Sequence, residues 1–253
     1  MNRLSKRWLL IPALATVYSA SSMAGGGYLD YRHEYLNQTR VHYDRAKMGY
    51  FFDSGFDVHL EIMWKATGNK DVVKNENGAT TKPANRDRWG DFENNGHGIT
   101  INYAYRPEFI PGVTITPTFS IYTSSYWTTY EPGVELAYRF NPEWRVRARY
   151  RQDLDKPRGA NYGKVANQTT HRYDFWVDWK PVDTSLSMTY NFVWYDTENV
   201  RWDNKTYDYA QEFKVGYSMK PWTPYIAIGD VKGADKFKDN RQIRWRAGLS
   251  YGF

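Results

Sequence analysis

"WRVRARYRQ", residues 144–152, carries arginine at 145, 147, 149 and 151, with Val146, Ala148 and Tyr150 between them. In a strand, successive side chains point to opposite faces. This stretch therefore presents four positive charges on one face and apolar groups on the other. The fold follows from deciding which of those faces meets water.

The same period-2 alternation recurs along the chain. "VTITPTFSI" sets Val113, Ile115, Pro117, Phe119 and Ile121 against Thr114, Thr116, Thr118 and Ser120. "SLSMTYNFVW" sets Leu186, Met188, Tyr190, Phe192 and Trp194 against Ser187, Thr189 and Asn191. "FDVHLEIMWK" behaves likewise around Leu60. Twelve such segments are predicted, at 28–36, 45–52, 56–65, 99–106, 113–123, 130–140, 144–152, 172–180, 185–195, 209–219, 224–231 and 241–253. Even-to-odd joins are short turns, such as "DSG" at 53 and "NPE" at 141. Odd-to-even joins are often long and polar, the longest being 66–98, where "NNGHG" (94–98) reads as loop.

Short turns at one end and long loops at the other are the pattern of a transmembrane antiparallel β-barrel, here of 12 strands in an all-β chain. Tyr and Trp near segment ends reinforce it. Trp64, Tyr103, Tyr138, Trp144, Trp179, Trp194 and Tyr217 lie on the apolar face, where amphipathic rings form girdles at the two membrane interfaces. A soluble β-sandwich also alternates, but seldom ends so many strands on such rings. After the N-terminus no run of about 18 apolar residues occurs, which excludes a helical membrane bundle.

The N-terminus reads as a secretory signal peptide, residues 1–24: Arg3, Lys6 and Arg7, then "LLIPALATVYSA", then "SSMA" before Gly25. Residues 25–253 are then the barrel. The whole chain carries +6, from 34 basic and 28 acidic residues. The leader holds three of the basic residues, which leaves +3. There is no cysteine, so disulfides, thiolate metal sites and a cysteine nucleophile are excluded.

An arginine or lysine facing lipid at mid-bilayer costs ~2–4 kcal/mol, so the apolar face is the outer one and the polar face lines a lumen. Parity then points fourteen cations inward: Arg32, Arg45, Lys47, Lys65, Arg106, Arg139, Arg145, Arg147, Arg149, Arg151, Arg172, Lys214, Arg244 and Arg246. Nine carboxylates accompany them: Asp30, Glu34, Asp57, Glu61, Glu131, Glu135, Asp174, Asp178 and Glu212. His33 and Gln211 point outward by the same parity, which marks either a bulge or a local error of the parity. The seventh segment lies six strands from the first in a closed ring of twelve. The arginines of segments 6–8 should therefore face those of segments 12, 1 and 2 across the pore. Some will pair with inward carboxylates, but four arginines on one strand should exceed their partners. Arginine suits a moving anionic ligand, because its planar fork grips a carboxylate and stays charged at any working pH. Several weak sites in series permit conduction.

"YLDYRHEY" (28–35), "DRAKMGYFFDSGFDVHLEIMW" (44–64), "RVRARYR" (145–151) and "PYIAIGDVKGADKFKDNRQIRWRAGLSYGF" (224–253) resemble the oligogalacturonate-specific porin family, which includes a sialic-acid channel. The resemblance implies a monomeric twelve-stranded outer-membrane channel for acidic oligosaccharides; separately, the residues predict no metal site and no cofactor. It implies two facing basic tracks, Arg32, Arg45, Arg244 and Arg246 against Arg145, Arg147, Arg149 and Arg151. The substrate pathway is expected to include Lys47, Arg139, Arg172 and Lys214 as well. The predicted partners are acidic sugars, outer-membrane lipid and lipopolysaccharide, and the assembly machinery that reads a last strand ending in Phe253. A channel for another acidic sugar, such as sialic acid, is the alternative. The main rival from another class is a barrel enzyme, but none of His33, His42, His59, His97 and His171 lies in a catalytic motif. A plugged structural or adhesion barrel is the remaining rival.

Overall fold

The computed structural model describes residues 25–66, 92–233 and 235–253. The expected signal peptide and most of the long 66–98 stretch lie outside the described residues. Twelve strands run in chain order: β1 (Gly25–Leu36), β2 (Val41–Phe52), β3 (Phe56–Ala66), β4 (Phe92–Tyr103), β5 (Val113–Thr123), β6 (Trp127–Arg139), β7 (Trp144–Pro157), β8 (Gln168–Trp179), β9 (Leu186–Thr197), β10 (Tyr207–Tyr217), β11 (Trp222–Lys232) and β12 (Arg241–Gly252). Each pairs antiparallel with its sequence neighbours, and β12 pairs with β1 to close the barrel. The closing register matches Tyr31 with Leu249 and His33 with Ala247. Beyond it, Gly27 and Phe253 exchange two backbone hydrogen bonds of 2.8 and 2.9 Å. Closure leaves no open sheet edge, as a membrane requires.

The molecule is apolar outside. Leu60, Leu136, Phe175 and Ile226 are all at least half exposed. Among the described residues the buried apolar set is only Ala66, Ala137, Val193, Trp202, Ala210 and Ala227. Rings cluster at the strand ends: Trp144 stacks on Trp179 at 5.6 Å, Trp222 meets Tyr251 at 4.5 Å, and Trp194 stacks on Tyr207 at 4.9 Å.

Three expectations need correction. Several strands outrun their predicted bounds at the end opposite the termini: β2 begins at Val41, β7 runs to Pro157 and β8 begins at Gln168. Beyond the bilayer both faces of a strand are wet, so the alternation that marks it fades. "NNGHG" belongs to β4; the β3–β4 register skips Asn95, so a bulge sits there, with Gly96 at φ 128°. That inserted residue broke the period-2 pattern. Finally, neither His33 nor Gln211 marks a bulge. His33 stands opposite Asp44 in regular register, its Nδ1 3.0 Å from the Asp44 carboxylate. Gln211 accepts a hydrogen bond from Tyr190 at 2.9 Å. Outward polar groups here are satisfied by their neighbours.

Candidate functional site

The parity of β7 and β8 sends Arg145, Arg147, Arg149 and Arg151 inward beside Arg172, Asp174, Trp176 and Asp178. Cross-strand register sets Arg145 against Asp178 and Arg149 against Asp174. Arg145 donates to Asp178 at 3.0 Å, and Arg147 grips the same carboxylate with bonds of 2.8 and 3.2 Å. Thr189 of β9 adds a third donor at 2.9 Å. Asp174 is fully buried between two arginines: Arg149 donates to one oxygen at 3.0 and 2.9 Å, and Arg172 to the other at 3.1 and 2.8 Å. Arg151 meets Asp153 at 2.6 Å and Glu131 at 2.9 Å, while Glu135 lies 3.7 Å from Arg147. Five arginines thus share five carboxylates. The expected surplus on this wall is absent, because Asp153 lies in the part of β7 beyond Gln152 that the sequence pattern left out.

The wall made by β12, β1 and β2 is built differently. Arg246 bridges Glu34 and Glu212, each at 2.6 Å, and Arg244 meets Glu212 at 2.9 Å. Arg45 binds Asp30 at 2.7 Å and stands 3.7 Å from Glu61. Arg32 reaches Glu34 only at 4.0 Å. Lys47 here and Lys214 on β10 form no ion pair among the described residues; Lys214 rests on the ring of Tyr225 at 5.4 Å. Six cations therefore meet four carboxylates. Among the described residues the buried Nε groups of Arg45 and Arg244 have no hydrogen-bond partner.

Both walls border one cavity of about 530 Å³, lined by Arg32, Arg45, Lys47, Arg244 and Arg246 on one side and Arg149, Arg151 and Arg172 on the other. A second cavity of about 320 Å³ lies towards the termini. It shares Arg32, Arg45, Lys47 and Arg246 with the first and adds Lys214. Arg145 and Arg147 border neither, and Arg139 is exposed at the end of β6 nearest the termini. Rings also reach the lumen, which the sequence pattern did not single out. Trp176 packs against Arg147 and Arg149, with guanidinium carbons 4.5 and 5.1 Å from its centroid. Tyr28 and Tyr225 line the smaller cavity and lie over Gly49 and Gly248, where a Cβ would strike their rings. Between the two walls, β4 and β5 carry neutral groups such as Thr100 and Ser120, hydrogen-bonded at 2.9 Å.

Outside the membrane-spanning strands, the backbone N–H of Phe237 and the side chain of Lys238 hold the Asp235 carboxyl below its usual range. Among the described residues no group of three or more His, Asp or Glu is placed to hold a metal ion.

The sequence profile described as oligogalacturonate-specific porin protein (KdgM) matches residues 18–253. A Salmonella typhimurium protein, the uncharacterized YiiY, is 28% identical over 249 residues, covering 97% of this chain and 96% of its own. The oligogalacturonate-specific porin KdgM of Dickeya dadantii is 27% identical over 255 residues, covering 97% and 98%. Among solved structures, the NanC porin superposes with a TM-score of 0.68 at 20% identity, over 88% of this chain and 98% of that one. A closed barrel of twelve strands, apolar outside and charged within, together with a profile match across almost the whole chain, identifies it as a member of the KdgM family of porins of the bacterial outer membrane.

Proposed function

We propose that this porin is a passive channel for acidic oligosaccharides, with oligogalacturonate as the first candidate. The observation that carries this reading is the lumenal cavity of about 530 Å³ bounded on opposite sides by basic residues of both walls. Uronate sugars present one carboxylate per ring, and a guanidinium with unused donors is a matched, reversible partner for it. In this reading Arg32, Arg45, Lys47, Lys214, Arg244 and Arg246 make the ligand contacts on one side, and Arg149, Arg151 and Arg172 on the other. Arg145 and Arg147 set the field nearer the termini, and Arg139 sets it at that mouth. The name of the Dickeya dadantii relative supports oligogalacturonate over other acidic sugars. The apolar belt around every strand suits a monomer surrounded by lipid and lipopolysaccharide, and Phe253 would be the mark read during assembly.

The test is liposome uptake of trigalacturonate, sialic acid and a neutral maltodextrin of similar size. Trigalacturonate should enter fastest. Equal rates for trigalacturonate and the maltodextrin would end the case for acidic sugars. Absence of steady current in planar bilayers would show a barrel plugged by its own charges.

A further inference from the structure

The connection between β9 and β10, residues 198–206, folds back over the rim at the end away from the termini. Its anchor is Trp202. The indole is buried, donates to the Asn240 carbonyl at 3.1 Å, and meets Tyr209 edge-on at 5.9 Å. Asn204 adds a side-chain bond to the Phe237 carbonyl at 3.0 Å, which ties the connection to the one between β11 and β12. A tryptophan in an otherwise polar loop is a large apolar group that must be buried somewhere, and burying it fixes its neighbour.

That neighbour, Arg201, is aimed into the barrel. Its guanidinium carbon lies 4.0 Å from the centroid of Tyr195, a ring that lines the larger cavity. Arg172 approaches the same ring at 5.3 Å. Lys232 holds the Arg201 carbonyl at 3.1 Å. Among the described residues the one carboxylate within ion-pair range of Arg201 is Asp208, 3.5 Å from its Nε and shared with Arg241 at 3.4 Å. Among the described residues no nitrogen of the Arg201 side chain makes a hydrogen bond, the buried Nε included. Arg172, by contrast, spends two donors on Asp174.

We propose that Arg201, Tyr195 and Arg172 form a capture subsite for a sugar carboxylate at this mouth. The terminal nitrogens of Arg201, which spend no hydrogen bond on a neighbour among the described residues, take the carboxylate first, the phenol ring offers an apolar face to the sugar, and Arg172 leads it into the cavity. The inference rests on the channel reading above, and adds a directional step to it. Trp202 acts as a positioning residue, since it holds Arg201 over the ring.

The test is single-channel recording of barrels inserted in one orientation, with trigalacturonate added to either side separately. Rim charges act mainly on association rate. Arg201→Ser should therefore lower the blocking rate from the loop side by about fivefold and leave the rate from the terminus side nearly unchanged. Trp202→Ala should reproduce this loss, and Arg201→Lys should retain part of the rate, being charged but unforked. An unchanged loop-side rate in Arg201→Ser, or equal losses from both sides, would overturn the subsite while leaving the channel reading intact. Absence of block in the wild-type protein from either side would overturn both.

Discussion

On the β7–β8 wall, Arg145 and Arg147 converge on Asp178, Arg149 and Arg172 enclose Asp174, and Arg151 is held by Asp153 and Glu131. On the β12–β1–β2 wall and its β10 neighbour, Arg246 bridges two carboxylates, yet among the described residues Arg32 has one distant partner and Lys47 and Lys214 have no ion pair. The more conspicuous arginine row is thus the more completely paired one. A row of like charges on a strand places a demand on its neighbours, and here β8 meets it with two aspartates at matched register. What a passing anion can grip is decided by donors left over, not by arginines counted.

The comparison is most sharply tested at Asp174. Removing one partner from a buried ionic cluster leaves uncompensated charge, at a cost of about 3–5 kcal/mol. Asp174→Ala should lower barrel stability by about 3 kcal/mol in reversible urea unfolding from lipid vesicles, with some relief from lumenal water. An unmoved midpoint would mean that pairing does not hold this wall together. Trigalacturonate affinity comes next. Hydrogen bonds to charged groups are worth about 1.5–3 kcal/mol, so replacing Lys47 and Lys214 by Ser should weaken binding by about tenfold or more. Replacing Arg145 and Arg147, whose donors are already on Asp178, should weaken it about twofold. Equal losses would erase the distinction between the walls. The smallest difference between the two walls concerns simple ions. A unit charge acting over roughly 8 Å of water contributes about 0.5 kcal/mol, and such contributions add regardless of pairing. Either double variant should therefore reduce chloride-over-potassium selectivity by about fivefold in 0.1 M salt. Both differences should shrink in 1 M salt, where screening acts within about 3 Å.

The barrel was legible in the sequence because a lipid-facing strand must alternate, and Val146, Ala148 and Tyr150 could point nowhere but outward. The inward residues were legible for the same reason, through parity alone. Pairing was not. It depends on strand ends that run beyond the membrane, where Asp153 falls, and on two arginines sharing one carboxylate at Asp174 and again at Asp178. Asp44 lies in the first four residues of β2, Val41–Asp44, which an alternation beginning at Arg45 leaves out. The mouth was hidden in a polar loop, although Trp202 inside "NVRWDN" was a signal that this loop is packed down rather than free. Trp176 and Tyr195 were on inward parity all along, but the aromatic rings drew attention only where they faced lipid.

The tyrosines that lie over Gly49 and Gly248 bear on how wide the channel is. Each glycine is a dent in the wall one methyl group deep, and each ring fills a dent instead of the passage. An alanine at either place would tip its tyrosine towards the axis beside Lys214 and Arg246, where the smaller cavity is already tight. The bore at that level is thus set by atoms these two positions lack, and two hydrogens in place of methyl groups serve as its gauge.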